Sequence, residues 1–261
     1  MSLNSSEPLP SARIHQITDE FSQAIKWNSA CLLLVVYRSE FTRGQVALSI
    51  RQFAEENGQL VEEFRITKAE YDVLLALKER PSQAGILHYI SGLQWGGGRQ
   101  GANAFHALNM HREHLVESTM RCIFWITPTE LKKMTRFAPD FWAFRHKVVD
   151  FTELPSSSLV NAKGTREVNR AVEIDRLLGL LKKNPNDLAS HIELAELFES
   201  LGCYEEAILH YKKTIRLAED KSDLLLSLAK VYALFGAEHM ARRIQRQAGK
   251  LIRDNPPVPR L

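Results

Sequence analysis

Between residues 31 and 151 the chain alternates short apolar runs with longer segments in which apolar residues recur every three or four positions. Cys31 to Tyr37 reads CLLLVVY without a polar side chain, the pattern of a strand covered on both faces. Runs at Leu60 to Ile66, Ile86 to Ile90, Arg121 to Ile126 and His146 to Phe151 predict four more strands. Helical spacing between them predicts helices at Thr42 to Glu56, Lys68 to Glu79, Ala102 to Glu117 and Thr129 to Phe137. Thr127 to Glu130 reads TPTE, a capping box with proline at the first helical position. Four βα units in succession predict an α/β domain with a mostly parallel sheet over residues 12–152, after a loose tail at 1–11.

The pattern changes after residue 152. Residues 153–165 read ELPSSSLVNAKGT, aperiodic and rich in proline, serine and glycine, as a linker does. From 166 to 255 the periodicity is helical throughout, and a tail follows at 256–261. Leu194, Ala195, Phe198, Gly202 and Ala207 recur 34 residues later as Leu228, Ala229, Tyr232, Gly236 and Ala241. That period belongs to a paired-helix repeat. Ile174, Leu177, Leu178 and Leu181 lie on one face of a preceding helix, placed like the second helix of an incomplete repeat.

The stretch from Ala189 to Asp220 resembles a tetratricopeptide repeat, with Leu194, Ala195, Phe198, Gly202, Tyr204, Ala207 and Tyr211 at its packing positions. Thr214 and Glu219 depart from the usual alanine and proline, and Glu238 and Gln245 stand where the second copy would carry aromatics. The resemblance implies a groove that receives protein partners. Ile192, Glu196 and Glu199 from the first copy, with Leu226 and Lys230 from the second, are the residues it places there. A short array of this kind needs a neighbour to stack on, so self-association is an expectation as well.

Composition narrows the function. Of the 261 residues 44% are hydrophobic and 25% charged, the balance of a globular protein. The net charge of +3 gives no basic stripe, so nucleic acid is not expected as a partner. No apolar run is long enough to cross a membrane. Cys31, Cys122 and Cys203 are odd in number and far apart, which fits neither a disulfide framework nor a zinc site and points to a reducing cytoplasm.

Ser39 to Val46, SEFTRGQV, stands after the first strand, where a phosphate-binding loop G-x-x-x-x-G-K-[ST] would lie. Aligned on Gly44, the first glycine is Ser39, the lysine Gln45 and the magnesium-binding hydroxyl Val46. The third strand ends in Ser91 and Gly92 where a metal-directing carboxylate is wanted. Leu108, Asn109, Arg112 and Leu115, then Phe124 and Trp125, then Ala138, Pro139, Asp140, Phe141, Trp142 and Arg145 are similar to a stretch in bacterial tetratricopeptide proteins with a STAND-like domain. The resemblance implies a degenerate P-loop NTPase-like domain joined to the repeats and used in bacterial signalling. No catalytic residue, cofactor or metal follows from it. A nucleotide-binding switch without hydrolysis is the alternative, with backbone amides near Gly44 as the phosphate contact.

Gly96, Gly98 and Gly101 also match the dinucleotide spacing G-x-G-x-x-G. They follow the third strand and not the first, and no acidic residue ends the next strand to hold a ribose. We therefore expect a turn, not a cofactor site, and a cost of no more than about 1 kcal/mol for Gly98→Ala. His106, His111 and His114 share one predicted helix, with no third element to complete a metal site. Asp140 is placed to cap a short helix after Pro139.

Overall fold

The computed structural model describes residues 9–80, 85–152 and 165–254. Most of the expected tails and residues 153–164 of the expected linker lie outside them. The chain divides into two compact units, residues 1–38 with 42–153, and residues 39–41 with 154–261.

The first unit is an α/β domain around a five-stranded parallel sheet: β1 (Cys31–Tyr37), β2 (Leu60–Arg65), β3 (Ile86–Ser91), β4 (Arg121–Ile126) and β5 (Lys147–Phe151), in the order β2-β3-β4-β1-β5. All seven residues of β1 and all six of β4 are buried. The order dictates where the helices go. From β1 the chain crosses to the far edge at β2, then returns through β3 and β4 to β5, so right-handed crossovers send the outward and returning connections to opposite faces. Accordingly α2 (Glu40–Glu56) packs Val46, Ile50 and Ala54 on the face of Leu33, Val35 and Trp125. On the other face Leu74, Phe105, Met134 and Phe141 meet Leu32, Leu34 and Phe124. These residues belong to α3 (Val73–Lys78), α4 (Ala102–His111), α6 (Pro128–Phe137) and α7 (Pro139–Ala143), with α5 (Glu113–Glu117) between α4 and β4.

A helix not expected from the sequence, α1 (Leu9–Lys26), covers the α2 face with Ile17, Phe21 and Ala24. The edge strand β2 is blunted by charge: Glu62 pairs with Arg80 at 2.6 Å and Glu63 with Arg51 at 2.7 Å. Two expected helices are shortened or split. The first starts late, at Val73, because the Asp72 carboxylate accepts from the amide of Leu75 and caps it there. The second breaks at Arg112, whose guanidinium donates to the Asn109 carbonyl at 2.6 Å and competes with the helix ladder for that acceptor.

The second unit is all-helical: α8 (Thr165–Lys183), α9 (Leu188–Ser200), α10 (Tyr204–Leu217), α11 (Ser222–Leu234) and α12 (Glu238–Asp254). Successive helices pack on one another in chain order. Helices α9 and α11 begin and end 34 residues apart, and α10 and α12 begin 34 apart. The turns between partners carry Gly202 and Gly236, both with left-handed φ, at 67° and 80°. Leu194, Ala195, Phe198 and Ala207 are buried, as are their equivalents Leu228, Ala229, Tyr232 and Ala241. The fold class is thus α/β with a parallel, P-loop-like sheet, followed by an all-α region.

Ala207 is fully buried between helices that approach closely. Ala207→Leu is expected to overpack this contact by about 1 to 3 kcal/mol and lower the midpoint of thermal unfolding. An unchanged melt would show that the hairpin is loosely packed.

Candidate functional site

The carboxyl ends of β1, β3 and β4 form the crest where a parallel sheet of this type receives its ligands. Only Arg38 and Ser39 separate β1 from α2. Gly44, Gln45 and Val46 therefore lie within α2, which begins two residues earlier than the sequence pattern predicts. No open loop exists to cradle a phosphate around Gly44, a correction to that alternative. A side chain at Gly44 would meet nothing within 4 Å, and Val46 is buried in the core.

Across the crest, the buried Glu130 reaches from α6. Its Oε2 accepts from the Thr127 amide at 2.8 Å and the Thr127 hydroxyl at 3.2 Å, and its Oε1 accepts from the Gln94 amide at 3.1 Å. The capping box read from the sequence is thus also a strap from α6 to the loop after β3. Three donors hold this carboxylate in place.

That loop contains the glycines. Gly92 turns the chain at φ 83°, two short 3-10 turns follow at Leu93–Trp95 and Arg99–Gly101, and α4 begins at Ala102. A Cβ on Gly96 would collide with the Cβ of Ala104, and one on Gly98 with the Asn103 side chain. At Gly101 it would lie 2.6 Å from the Gln94 carbonyl oxygen. Gly98 and Gly101 also have left-handed φ, at 69° and 80°. The three glycines let the loop lie flat on the start of its own helix, and protein atoms stand close to each of them.

The motif Leu-Asn-x-x-Arg and the motif Ala-Pro-Asp-x-Trp meet in space. Asn109 Oδ1 accepts from the amides of Asp140 and Phe141, at 2.8 and 3.2 Å, and its amide group donates to the Asp140 carboxylate at 3.1 Å. Asn109, not Asp140, supplies the cap of α7. Arg112 lies 3.8 Å from Asp140, and Arg145 stacks on Trp142 with its guanidinium 3.7 Å from the ring centre. These residues are a clasp between α4 and α7.

The three histidines have separate employments. His106 meets the edge of Phe137, His111 Nδ1 is 2.7 Å from the Asp72 carboxylate, and His114 Nδ1 is 2.9 Å from the Lys78 ammonium. Among the described residues no group of three or more His, Cys, Asp or Glu is arranged to hold a metal. All three cysteines are buried, and burial pushes the Cys31 thiol up to about 12.

In the helical unit the structure brings together part of the groove read from the sequence. Lys230 on α11 pairs with Glu199 on α9 at 2.7 Å, and the Tyr211 hydroxyl donates to the other oxygen of Glu199 at 3.0 Å. Glu196, Leu226 and Lys230 are exposed, while Ile192 and Glu199 are half-buried. Sequence reasoning missed the buried pair behind them. His191 and His210 face each other Nδ1 to Nδ1 at 2.9 Å, and His191 Nε2 lies 3.1 Å from the Pro185 carbonyl. A carbonyl only accepts, so His191 carries its proton on Nε2 and its Nδ1 accepts from His210. Burial first, and His191 second, lower the pKa of His210 to about 4. Burial does the same to His88 in β3, also to about 4, opposed by Glu62 and aided by Arg80.

No family model and no curated protein matches the chain. Among solved structures, the Aeropyrum pernix ORC1 protein in complex with DNA is 13% identical, with a TM-score of 0.39 over 99% of this chain and 82% of that one. The likeness is too slight to assign a function. The exclusion of nucleic acid drawn from the net charge is withdrawn on another ground. A sum over the chain conceals where charges stand: α12 alone carries Arg242, Arg243, Arg246, Lys250 and Arg253. Among the described residues no helix is long and apolar enough to cross a membrane.

Two outcomes are expected. Gly96→Ala and Gly98→Ala should each destabilise the first unit by about 1 to 3 kcal/mol, above the sequence-based limit for Gly98, because the added methyl meets filled space. Denaturant unfolding of both variants measures this, and wild-type stability would mean that the loop readily lifts from α4. For the histidines, a folded pKa below the unfolded 6.5 means that the unfolded chain binds protons first as pH falls. Their contribution is fully present above 6.5 and is lost between 6.5 and about 4. Melts across that range should show the loss, and His210→Gln should flatten it in the helical unit.

Proposed function

We propose that the protein is a non-enzymatic adaptor of the kind used in bacterial signalling, working in a reducing cytoplasm. Its helical unit acts as a short tetratricopeptide-type array that binds protein partners. Its first unit is a degenerate nucleotide-type fold that serves as scaffold. The observation that carries this reading is the junction of β1 and α2: two residues long, followed by a helix that absorbs Gly44, Gln45 and Val46. Phosphoryl transfer needs a loop of backbone amides, a lysine and a metal ligand at that place, and here the loop is replaced by helix, the lysine by Gln45 and the metal ligand by the buried Val46.

The array offers α9 and α11 side by side. Ile192 and Leu226 are its apolar contacts, at equivalent positions, with Glu196 and the Glu199–Lys230 pair as polar neighbours. A partner with an apolar anchor and flanking charge of both signs suits such a surface. Self-association through the same face is a form of this reading.

Magnesium-dependent phosphate release from ATP or GTP is expected to stay at the level of a no-enzyme control. Calorimetric titration with ATP, GTP, NAD and FAD is expected to give no saturable binding. Proteins retained by the wild type should be lost from the double variant Ile192→Glu with Leu226→Glu while its melt is unchanged. Turnover would overturn the adaptor reading, and binding without turnover would replace it with a nucleotide-dependent switch.

A further inference from the structure

Helices α8, α10 and α12 alternate with α9 and α11 along the array and repeat one another's outward positions. Ala207 and Thr214 of α10 and their equivalents Ala241 and Ala248 of α12 are all buried, so the two helices present the same sides inward and the same sides outward. Ile174 and Leu177 of α8 occupy the positions of Ile208 and Tyr211 of α10, and all four are buried as well. With this register fixed, Lys182, Arg216 and Lys250 stand at one equivalent outward position, 34 residues apart. One turn earlier, Lys212 and Arg246 repeat in the same way. All five are exposed.

Three other cations of the unit are held by acidic neighbours. Arg176 is paired with Glu173 and Glu193, Lys230 with Glu199, and Arg242 with Glu238. Lys182, Arg216, Arg246 and Lys250 are in no ion pair among the described residues, and Lys212 is held only over the Tyr232 ring, at 5.4 Å. A favourable helix dipole accounts for basic residues in a last turn, as at Lys182 and Arg216. It does not account for Lys212 or Arg246, which lie a turn or more inside.

We infer that this ladder of unpaired cations is a binding surface for the phosphodiester backbone of duplex nucleic acid, without sequence preference. A periodic polyanion matches a periodic row of cations, and neutralising its phosphates releases condensed counterions. Within a helix, residues four apart are spaced by about 6 Å along the axis, so Lys212 with Arg216, and Arg246 with Lys250, reach neighbouring groups on one strand. No ladder position is aromatic, as a stacking platform for single strands would require. Helix α12 buries Ala241 and Ala248 against the array, so a bilayer meets only its charged side. An acidic protein would need several apolar anchors among the charges, and the ladder positions supply a single one, Leu178 of α8, equivalent to Lys212. The surface is separate from the α9 and α11 face, and the two readings stand or fall independently.

Fluorescence anisotropy of a labelled duplex of random sequence, titrated with the full-length protein at 50 mM and 200 mM salt, tests the inference. The expected result is saturable binding that weakens about a hundredfold between the two salts, as about four phosphate contacts imply. Arg216→Glu with Lys250→Glu should weaken binding at least tenfold and reduce the log-log salt slope by about two. Lys132→Glu, an exposed charge reversal in the first unit, should leave it unchanged, and melts should confirm that all variants fold. No binding at 50 mM salt, or equal binding by the double variant, overturns the inference. So does tighter binding to single strands, to polyglutamate or to anionic phospholipid vesicles than to the duplex.

Discussion

The first unit is organised by a strand that must be kept from water on both sides. Every residue of β1 is apolar and every one is buried, so its neighbours in the sheet and helices on both faces are obligatory. Placing β1 between β4 and β5 satisfies the first requirement. The change of direction in the strand order satisfies the second, since crossovers of one hand then deliver α2 to one face and α3 to α7 to the other. The same change of direction creates the crest at the carboxyl ends of β1 and β4. At this crest two residues separate α2 from β1, and Glu130 straps the loop after β3 to α6.

The helical unit rests on a different constraint, small residues where helices touch. Ala195, Ala207, Ala229 and Ala241 recur at the repeat spacing and are all buried, and Thr214 turns its hydroxyl onto the His210 carbonyl at 2.8 Å instead of leaving it unsatisfied. Behind the α9 face the two histidines share one hydrogen bond in a site that disfavours charge. On the α9 and α11 face Lys230 is neutralised by Glu199, while the ladder residues of α8, α10 and α12 are in no ion pair among the described residues. A net charge summed over the chain erases this difference, which is why it does not exclude nucleic acid.

Much of the fold was legible before the structure. Strand β1 announces itself because burial on both faces leaves no charged position to confuse the pattern, and β1 and β4 were bounded to the residue. The period of 34 needed only small and large residues recurring in register. Helix α1 was missed because its buried residues, Ile17, Phe21 and Ala24, lie among polar ones in a segment whose beginning reads as a tail. The late start of α3 and the break after His111 depend on Asp72 and Arg112, single side chains that compete with the helix ladder.

The sequence by itself determined the class of each unit, the absence of a phosphate-loop lysine, and the glycine turn after the third strand, because these rest on residue type and local spacing. Only the tertiary structure decided what those residues touch. It put Asn109 rather than Asp140 at the cap of α7, filled the space around Gly96 and Gly98 with Ala104 and Asn103, and joined His191 to His210 across two helices. It also separated the paired cations from the unpaired ones. Contacts between residues distant in the chain depend on packing that no local pattern encodes, and the chemistry of this protein's surfaces lies in those contacts.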